Sequence, residues 1–368
     1  MQFPKKNNFI FILYKEGSIY DAIPNDILRR AMGISKYVKV KILLISCIYK
    51  YIEYVKEYCE GYNIEIEAKE LNKVNKIDYI NNTFITHSWP ETLYNVSSIF
   101  NIKNLIIIEE VPPLYDRLKK QSVKQLMRNK ILTFPIMLRF LTLKYRKTVK
   151  KAHYYVAISD EEYNVLNNYY KLKPNFISYE PIDTRFFQYN RFSKRDSIIV
   201  FGNICNYDKF INILNKILKY IDIKRIICMN STNENKYISN IPTYNISKYK
   251  LKDIQDIYSS ALFSITMENR GSFELIPIEG LCSGVPVISP EVPSVKVLRN
   301  VFSADSEFPV FNYFKFINID SDEYLLNDFK KWFFNNDKNR AKFSETILCN
   351  FSMENIAKKF LNDIKRSI

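Results

Sequence analysis

Three of the seven glycines in this 368-residue sequence lie within one short stretch, GSFELIPIEGLCSGVPVI (271–288). Glycine is entropically costly and is usually found where the backbone turns left-handed or where another group approaches closely. Pro277 suits the first turn of a helix, because its missing N–H group costs nothing there, and Gly284 suits the position after a helix. The stretch therefore predicts a short helix with a strand on either side.

The start of this predicted helix has the chemistry of an anion site. Its free amide groups and the positive end of its dipole favour a negatively charged group such as a diphosphate. Glu279 lies in the first turn, where a carboxylate can accept hydrogen bonds from ribose hydroxyls. The alternative is that Glu279 only stabilises the helix start, by about 0.3–1 kcal/mol. The glycines on both sides favour the ligand site.

The surrounding sequence alternates apolar runs with amphipathic segments, a pattern typical of parallel sheets covered by helices on both faces. Strands are predicted at 8–14, 38–48, 64–68, 83–88, 103–111, 153–160, 195–204, 224–231, 262–269 and 285–291. Helices are predicted at 23–37, 51–62, 208–221, 251–261 and 354–368.

The chain is long enough for two domains, and the alternation restarts after a polar stretch at 177–196. We predict an α/β protein with two Rossmann-like, doubly wound domains facing a cleft, an acceptor domain at 1–180 and a donor domain at 195–350. Residues 351–368 form a C-terminal helix expected to pack back on the first domain. Ligands of such sheets bind at the carboxyl ends of the strands, here in the cleft.

Composition limits where the protein works. The content of 47% hydrophobic residues excludes wholesale disorder. The six cysteines form no CxxC pair, which indicates buried free thiols in a reducing compartment. No apolar run approaches the roughly 18 residues of a membrane-spanning helix, and FIFILY near the start is too short for a signal peptide. We therefore predict a cytoplasmic protein, soluble or peripheral on the inner membrane face.

The net charge of +15 is concentrated in one segment. Residues 117–151 hold twelve Lys or Arg and no Asp or Glu, whereas the rest of the chain is close to neutral. Cations around an apolar centre suit an anionic membrane surface, to which each basic residue contributes about 1 kcal/mol. The alternative is a solvated basic helix with its apolar side in the core. Nucleic acid is the less favoured partner, because no recognised binding motif accompanies the charge.

Four passages in series resemble GT-B glycosyltransferases of the family 4 type (glycosyl transferases group 1). The stretch 271–288 resembles their signature, in which two glutamates frame a loop and helix before a GVPVI strand. Residues 156–187 resemble the passage into the interdomain segment. SIIVFGNICNYDKF (197–210) resembles the strand and loop that open the second domain, and LKDIQDIYSSALFSITM (251–267) resembles the helix and strand before the glutamates.

This resemblance implies a transferase of the hexosyltransferase type that moves a sugar, with retention, from a UDP- or GDP-linked donor to a glycan or lipid-linked acceptor. It implies no cofactor and no metal, because helix dipoles and basic side chains neutralise the leaving diphosphate. The residues it assigns to donor binding are Gly202, Asn203, Lys209, Phe273, Glu274, Leu275, Ile276 and Glu279. Those it assigns to catalysis are His87 and Glu274.

The sequence also departs from the family pattern. The first glutamate position holds Gly271, with Glu268 or Glu274 as its substitute. Asn203 stands where an Arg usually grips the diphosphate, and Lys209 is one residue late. The glycine-rich loop of the first domain is reduced to residues 15–18, and Glu109 or Glu110 replaces a His. Each missing donor group would lower turnover by about a hundredfold or more if uncompensated.

Three basic side chains have a second interpretation. His87, at a predicted strand end facing the cleft, is either an acceptor or sugar contact or a hydrogen-bonded structural histidine. Lys209 either binds the diphosphate or is a solvated lysine, and His153 is a strand-edge residue without a role.

Two other functions therefore stay open beside the enzyme: a GT-B-shaped binding or scaffold protein without turnover, and a nucleic-acid binder that uses 117–151.

Overall fold

The structure is a computed structural model. It describes residues 9–14, 25–45, 49–70, 73–74, 82–88, 105–108, 147, 149–150, 152–168, 171–201, 215–229, 241–246, 251–266, 274–302, 308–312, 315 and 322–367. The described strands are β1 (Phe9–Tyr14), β2 (Val40–Ile45), β3 (Ile64–Lys69), β4 (Thr83–His87), β5 (Leu105–Ile108), β6 (Tyr154–Ala157), β7 (Phe176–Ile177), β8 (Ser197–Phe201), β9 (Arg225–Met229), β10 (Thr243–Ile246), β11 (Ala261–Thr266), β12 (Val287–Ser289) and β13 (Val310–Asn312). The described helices are α1 (Asn25–Ser35), α2 (Tyr49–Tyr58), α3 (Asp160–Asn168), α4 (Leu251–Ser259), α5 (Ile276–Cys282), α6 (Pro293–Val301), α7 (Asp322–Lys338), α8 (Arg340–Phe351) and α9 (Met353–Ser367).

The chain divides into two compact units. Unit 1 comprises Met1–Pro181 with Met353–Ile368, and unit 2 comprises Ile182–Ser352. The sheet of unit 1 has the order β3-β2-β1-β4-β5-β6-β7, and its strand pairs are parallel. Its central strands are almost wholly apolar and buried, as expected for a parallel sheet with both faces covered. The strand order reverses between β1 and β4, which makes that edge the topological switch point of unit 1.

The C-terminal helix α9 packs on α1 within unit 1. Gly33 makes this close approach possible, because a Cβ atom there would overlap the backbone carbonyl of Met353. An exposed ion pair of 2.8 Å between Lys36 and Glu354 lies near this contact.

The sheet of unit 2 has the order β10-β9-β8-β11-β12-β13, again with parallel pairs. Its order reverses between β8 and β11, so this unit repeats the doubly wound plan of unit 1. Aromatic rings of α7 cover one face of the sheet: Phe329 and Phe333 meet Phe263 of β11 edge to face at 5.7 and 6.0 Å.

The predicted α/β class with two doubly wound sheets is confirmed. The sequence did not predict β7, β10, β13 or the helices α6, α7 and α8, and most of the predicted helix at 208–221 lies outside the described residues. Among the helices of the described part of the chain, none is long and apolar enough to cross a membrane.

Candidate functional site

The predicted short helix is α5, and it begins and ends as the sequence predicts. Pro277 lies in the first turn. After the helix, Gly284 has a φ of 70°, its amide donates to the carbonyl of Leu281 at 2.9 Å, and the amide of Val285 donates to the carbonyl of Gly280 at 2.8 Å. These are the two hydrogen bonds of a Schellman motif, which needs a left-handed residue after the helix. The predicted roles of Pro277 and Gly284 are confirmed.

Gly280 explains why the helix lies so close to the sheet. A Cβ atom on this residue would lie 2.9 Å from Cγ2 of Val287 in β12 and 3.2 Å from Oγ of Ser264 in β11. The absence of a side chain therefore lets α5 pack directly on two strands next to the switch point of unit 2. Glu279 precedes this contact in the chain and is carried on a helix that has little room to move.

Four of the predicted donor-binding residues, Glu274, Leu275, Ile276 and Glu279, are half-buried. The amide of Glu279 donates to the carbonyl of Leu275 at 2.8 Å, so the backbone of Glu279 is used within the helix. Burial, together with the charge of Glu279, raises the pKa of the Cys282 thiol to about 12. Glu279 therefore lies in the first turn of α5 and close to a buried thiol.

The remaining predicted site residues of unit 2 cannot be placed. Gly202, Asn203, Lys209 and Phe273 lie outside the described residues, as does Gly271. The strands that precede them, β8 and β11, are adjacent in the sheet. Their carboxyl ends therefore lie side by side at the edge where the sequence predicts the donor.

Two arginines that the sequence analysis missed, the buried Arg340 and the half-buried Arg195, contact the opposite end of α5, where Arg195 lies 3.4 Å from the carbonyl of Ser283. Arg340 donates to the carbonyls of Gly284 at 2.8 Å and Leu262 at 2.7 Å, and Arg195 donates to the carbonyl of Ala261 at 2.8 Å. Burial and the neighbouring charge of Arg340 lower the pKa of Arg195 to about 10. Cations at the carbonyl end of α5 complement its dipole, so this helix is held in place by charge as well as by packing.

In unit 1, the structure places His87 at the end of β4, as predicted, and gives it a partner that the sequence did not reveal. Nε2 of His87 lies 2.8 Å from Oδ1 of Asp26, and both side chains are 3% exposed. Asp26 lies in the first turn of α1, which follows β1. Because β1 and β4 flank the switch point, this pair occupies the position where ligands of doubly wound sheets bind.

The carboxylate of Asp26 is held in its charged form. Burial raises the pKa of Asp26, but the charge and hydrogen bond of His87, with the charges of Arg30 and Arg29, outweigh burial and hold this pKa below its ordinary value. A carboxylate can only accept hydrogen bonds, so Nε2 of His87 carries the proton that it shares with Asp26. The ring of His87 is therefore held in one orientation by this hydrogen bond.

Arg30 and Arg29 of α1 extend this network to residues 178–180, near the end of the first chain segment of unit 1. Arg30 donates to Oγ and to the carbonyl of Ser178, both at 2.7 Å, and to the carbonyl of Tyr179 at 3.0 Å. Arg29 lies 3.9 Å from Glu180. These contacts join α1, which carries the partner of His87, to the residues after β7.

Other predicted features have simpler outcomes. His153 is exposed beside the ring of Tyr154, with centroids 4.3 Å apart. The basic segment 117–151 lies almost wholly outside the described residues, as do Glu109 and Glu110. Within the described part of the chain, no group of three or more His, Cys, Asp and Glu residues could hold a metal ion.

Comparisons with known proteins define the fold. No protein-family model matches the sequence, and no curated protein matches it. Among solved structures, TarM is similar with a TM-score of 0.63 and 10% identity, over 97% of this chain and 98% of TarM. HepE from Anabaena, in complex with UDP, has a TM-score of 0.61 and 8% identity, over 98% of this chain and 100% of HepE.

An epimerase is among the solved structures with this fold. The UDP-GlcNAc 2-epimerase from Neisseria meningitidis, bound to UDP-GlcNAc, has a TM-score of 0.56 and 9% identity, over 98% of this chain and 100% of the epimerase. Identities this low show that the fold is shared and nothing finer. The predicted GT-B fold, with its two parallel-sheet α/β units, is thereby confirmed.

Proposed function

We propose that this protein is a glycosyltransferase of the family 4 type that transfers a sugar from a nucleoside-diphosphate donor, with UDP as the first nucleotide to test. The observation that carries this proposal is the match over nearly the whole chain to HepE in complex with UDP and to a glycosyltransferase from Rickettsia africae, the latter with a TM-score of 0.56 and 13% identity. The half-buried carboxylate of Glu279, on a helix fixed at its far end, supports it as the contact to the ribose hydroxyls.

The proposed reaction needs no metal and no cofactor. The bond between the sugar C1 and the diphosphate oxygen breaks, and C1 bonds to a hydroxyl oxygen of the acceptor on the same face of the sugar. The hydroxyl proton passes to the leaving diphosphate. Lys209 and the backbone of 273–276 hold the diphosphate in this proposal, Glu274 takes the catalytic carboxylate position, and His87, oriented by Asp26, contacts the sugar or the acceptor.

The proposed acceptor is a glycan or a lipid-linked saccharide, and the proposed place of action is the cytoplasmic face of a membrane. The basic segment 117–151 supports the membrane part of the proposal through its charge. Anionic vesicles should therefore retain the protein in a flotation assay, and neutral vesicles should not.

A thermal-shift assay with UDP, GDP and ADP at millimolar concentration tests nucleotide binding. A ligand at about one hundred times its Kd stabilises a folded protein by about 2.7 kcal/mol, so UDP should raise the melting temperature by several degrees. Glu279→Gln should abolish this shift. Glu345→Gln, at an exposed position of α8, is the matched control and should retain it. If no nucleotide stabilises the protein, the donor site proposed here is wrong.

A second candidate is a UDP-sugar 2-epimerase, favoured by the similarity to the UDP-GlcNAc 2-epimerase from Neisseria meningitidis and to a protein from Listeria monocytogenes assigned the same activity. Incubation with UDP-GlcNAc in the absence of an acceptor separates the two reactions. An epimerase interconverts UDP-GlcNAc and its C2 epimer, which proton NMR distinguishes, whereas a transferase leaves the donor intact or hydrolyses it slowly. Binding of UDP without either reaction would support the scaffold function that the departures at Gly271 and Asn203 favour.

A further inference from the structure

A cavity of about 360 Å³ lies in unit 2 at the outer edge of its sheet. Its volume falls in the range of about 300–1,000 Å³ that is typical of small-molecule sites. It runs beside β13, the end strand of the sheet order, and β12 separates it from β11. Its lining includes none of the predicted donor-binding residues that the structure describes. The lining residues are Arg299, Phe308, Val310, Phe311, Asn312, Lys315, Asp328, Lys331, Trp332, Asn335 and Asn336.

The charge of the cavity depends on one lysine. Arg299 forms two hydrogen bonds of 2.8 and 2.9 Å to Glu291, and Lys315 forms an ion pair of 2.7 Å with Asp328. Lys331, exposed on the same face of α7 as Asp328, has no ion pair within the described part of the chain. The cavity therefore carries one cationic side chain whose charge is available to a ligand.

The rest of the lining suits a ring with hydroxyl groups. The indole of Trp332 meets the ring of Phe311 edge to face at 5.3 Å, which gives the cavity an aromatic wall. The half-buried amide of Asn335 lies one helical turn from Lys331 and offers both a donor and an acceptor. Aromatic faces, amides and a cation are the groups with which proteins hold charged saccharides.

Two of the lining residues have a buried polar atom without a hydrogen-bond partner among the described residues. Nε1 of Trp332 and Oδ1 of Asn336 have no hydrogen-bond partner in the part of the chain that the structure describes, and Asn336 is only 1% exposed. Buried polar groups are rarely left without a partner unless a water molecule or ligand supplies one. A hydroxyl group both donates and accepts, so it has the chemistry that both atoms lack.

From these observations we propose that the cavity is a binding site for an anionic saccharide, a sugar bearing a carboxylate or phosphate group. Lys331 pairs with the anionic group, Asn335 bonds a hydroxyl, and the ring of the sugar lies against Trp332. The site is separate from the proposed donor site, so a polymer or acceptor chain can be held here while the donor is bound elsewhere.

Intrinsic fluorescence tests this proposal directly, because the chain has two tryptophans and Trp332 lines the cavity. In a Trp89→Phe protein, Trp332 is the sole tryptophan. This protein is titrated with trigalacturonate, glucose 6-phosphate, maltotriose and inorganic phosphate at about 0.15 M ionic strength, with and without saturating UDP. Calorimetry on the unsubstituted protein repeats each titration without relying on the variant.

At least one of the two anionic sugars should give a saturable change in Trp332 fluorescence that UDP does not prevent. Lys331→Gln should weaken this binding about tenfold or more, the loss expected for a hydrogen bond to a charged group. Asn335→Ala should weaken it less. Lys338→Gln, an exposed lysine of the same helix outside the cavity, should leave it unchanged.

Each contrary result overturns the proposal. Equal binding of maltotriose would remove the role of the charge, and equal binding of inorganic phosphate would reduce the site to an adventitious ion. Failure of all four probes, or an equal effect of Lys338→Gln, would show that the cavity has no such function. Because the nucleotide assay uses a different region, the glycosyltransferase proposal would stand or fall independently.

Discussion

The six strands of unit 2 repeat the order of the first six strands of unit 1, yet different kinds of residue lie at the two switch points. In unit 1, the edge between β1 and β4 is occupied by ionisable side chains, Asp26 and His87, backed by Arg30. In unit 2, the helix after β11 is packed on the sheet through Gly280, and its charged residue, Glu279, is only half-buried. One edge is built from buried, ion-paired side chains, and the other from close backbone packing.

This difference distinguishes residues that stabilise a unit from a residue proposed to contact a ligand. The charges of unit 1 are buried and paired with one another, so removing one of them leaves its partners unsatisfied. Glu279 is not buried to this degree, and the backbone around it is fixed by Gly280, Gly284 and Arg340. The carboxylate of Glu279 is therefore expected to matter for binding rather than for folding.

The largest effect should come from Arg30→Met. This change removes three hydrogen bonds to Ser178 and Tyr179 and one of the positive charges that balance the carboxylate of Asp26. The free energy of unfolding should therefore fall by about 3–5 kcal/mol. Urea denaturation followed by circular dichroism measures it. Arg299→Met is the control, because its ion pair with Glu291 is exposed and should contribute about 1 kcal/mol or less. Similar losses from both changes would show that burial of the network adds nothing.

Asp26→Asn should lower the free energy of unfolding by about 2–3 kcal/mol at neutral pH, since an amide cannot balance the charges of Arg29 and Arg30. The cost should depend on pH with a definite sign. The pKa of Asp26 is lowered in the folded state from an ordinary value of 3.8, so its contribution is complete above about pH 5 and is lost as the pH falls through the folded value.

Denaturation of the original protein and of Asp26→Asn across this range measures the difference between them. That difference should shrink as the pH falls below 3.8. A difference that instead grows with falling pH would mean that Asp26 is protonated in the folded protein.

Gly280→Ala tests the packing of unit 2. The added methyl group would press on Val287 and Ser264, and overpacking of this kind should cost about 1–2 kcal/mol. The double variant Gly280→Ala with Val287→Ala provides the control, because removal of the Val287 methyl groups relieves the contact. The two changes should therefore be non-additive when thermal unfolding of the single and double variants is compared.

The same contrast explains what the sequence could predict. The strands FIFILY and ALFSIT and the ends of α5 were readable, because apolar runs, Pro277 and Gly284 act through their immediate neighbours. The pair of Asp26 and His87 was not readable, since the two residues are 61 positions apart and meet only when β1 and β4 become neighbours.

Arg340 was missed for a related reason. Its partners are the backbone carbonyls of Gly284 and Leu262, 56 and 78 residues away. Every residue has a backbone carbonyl, so residue type does not reveal such a partner. The short strand β13 has three residues, too few to show an alternating pattern. The cavity beside it could therefore not be predicted from the sequence either.

Glu279→Gln should have the smallest effect on folding. The substitution keeps the size of the side chain and removes a charge from the first turn of α5, a change worth about 1 kcal/mol or less. Urea denaturation of the nucleotide-free protein should therefore show little change, whereas the stabilisation by UDP should disappear. A loss of more than about 3 kcal/mol, the range of a broken buried pair, would place Glu279 in a structural network like that of Asp26. The two switch points would then differ in sequence but not in role.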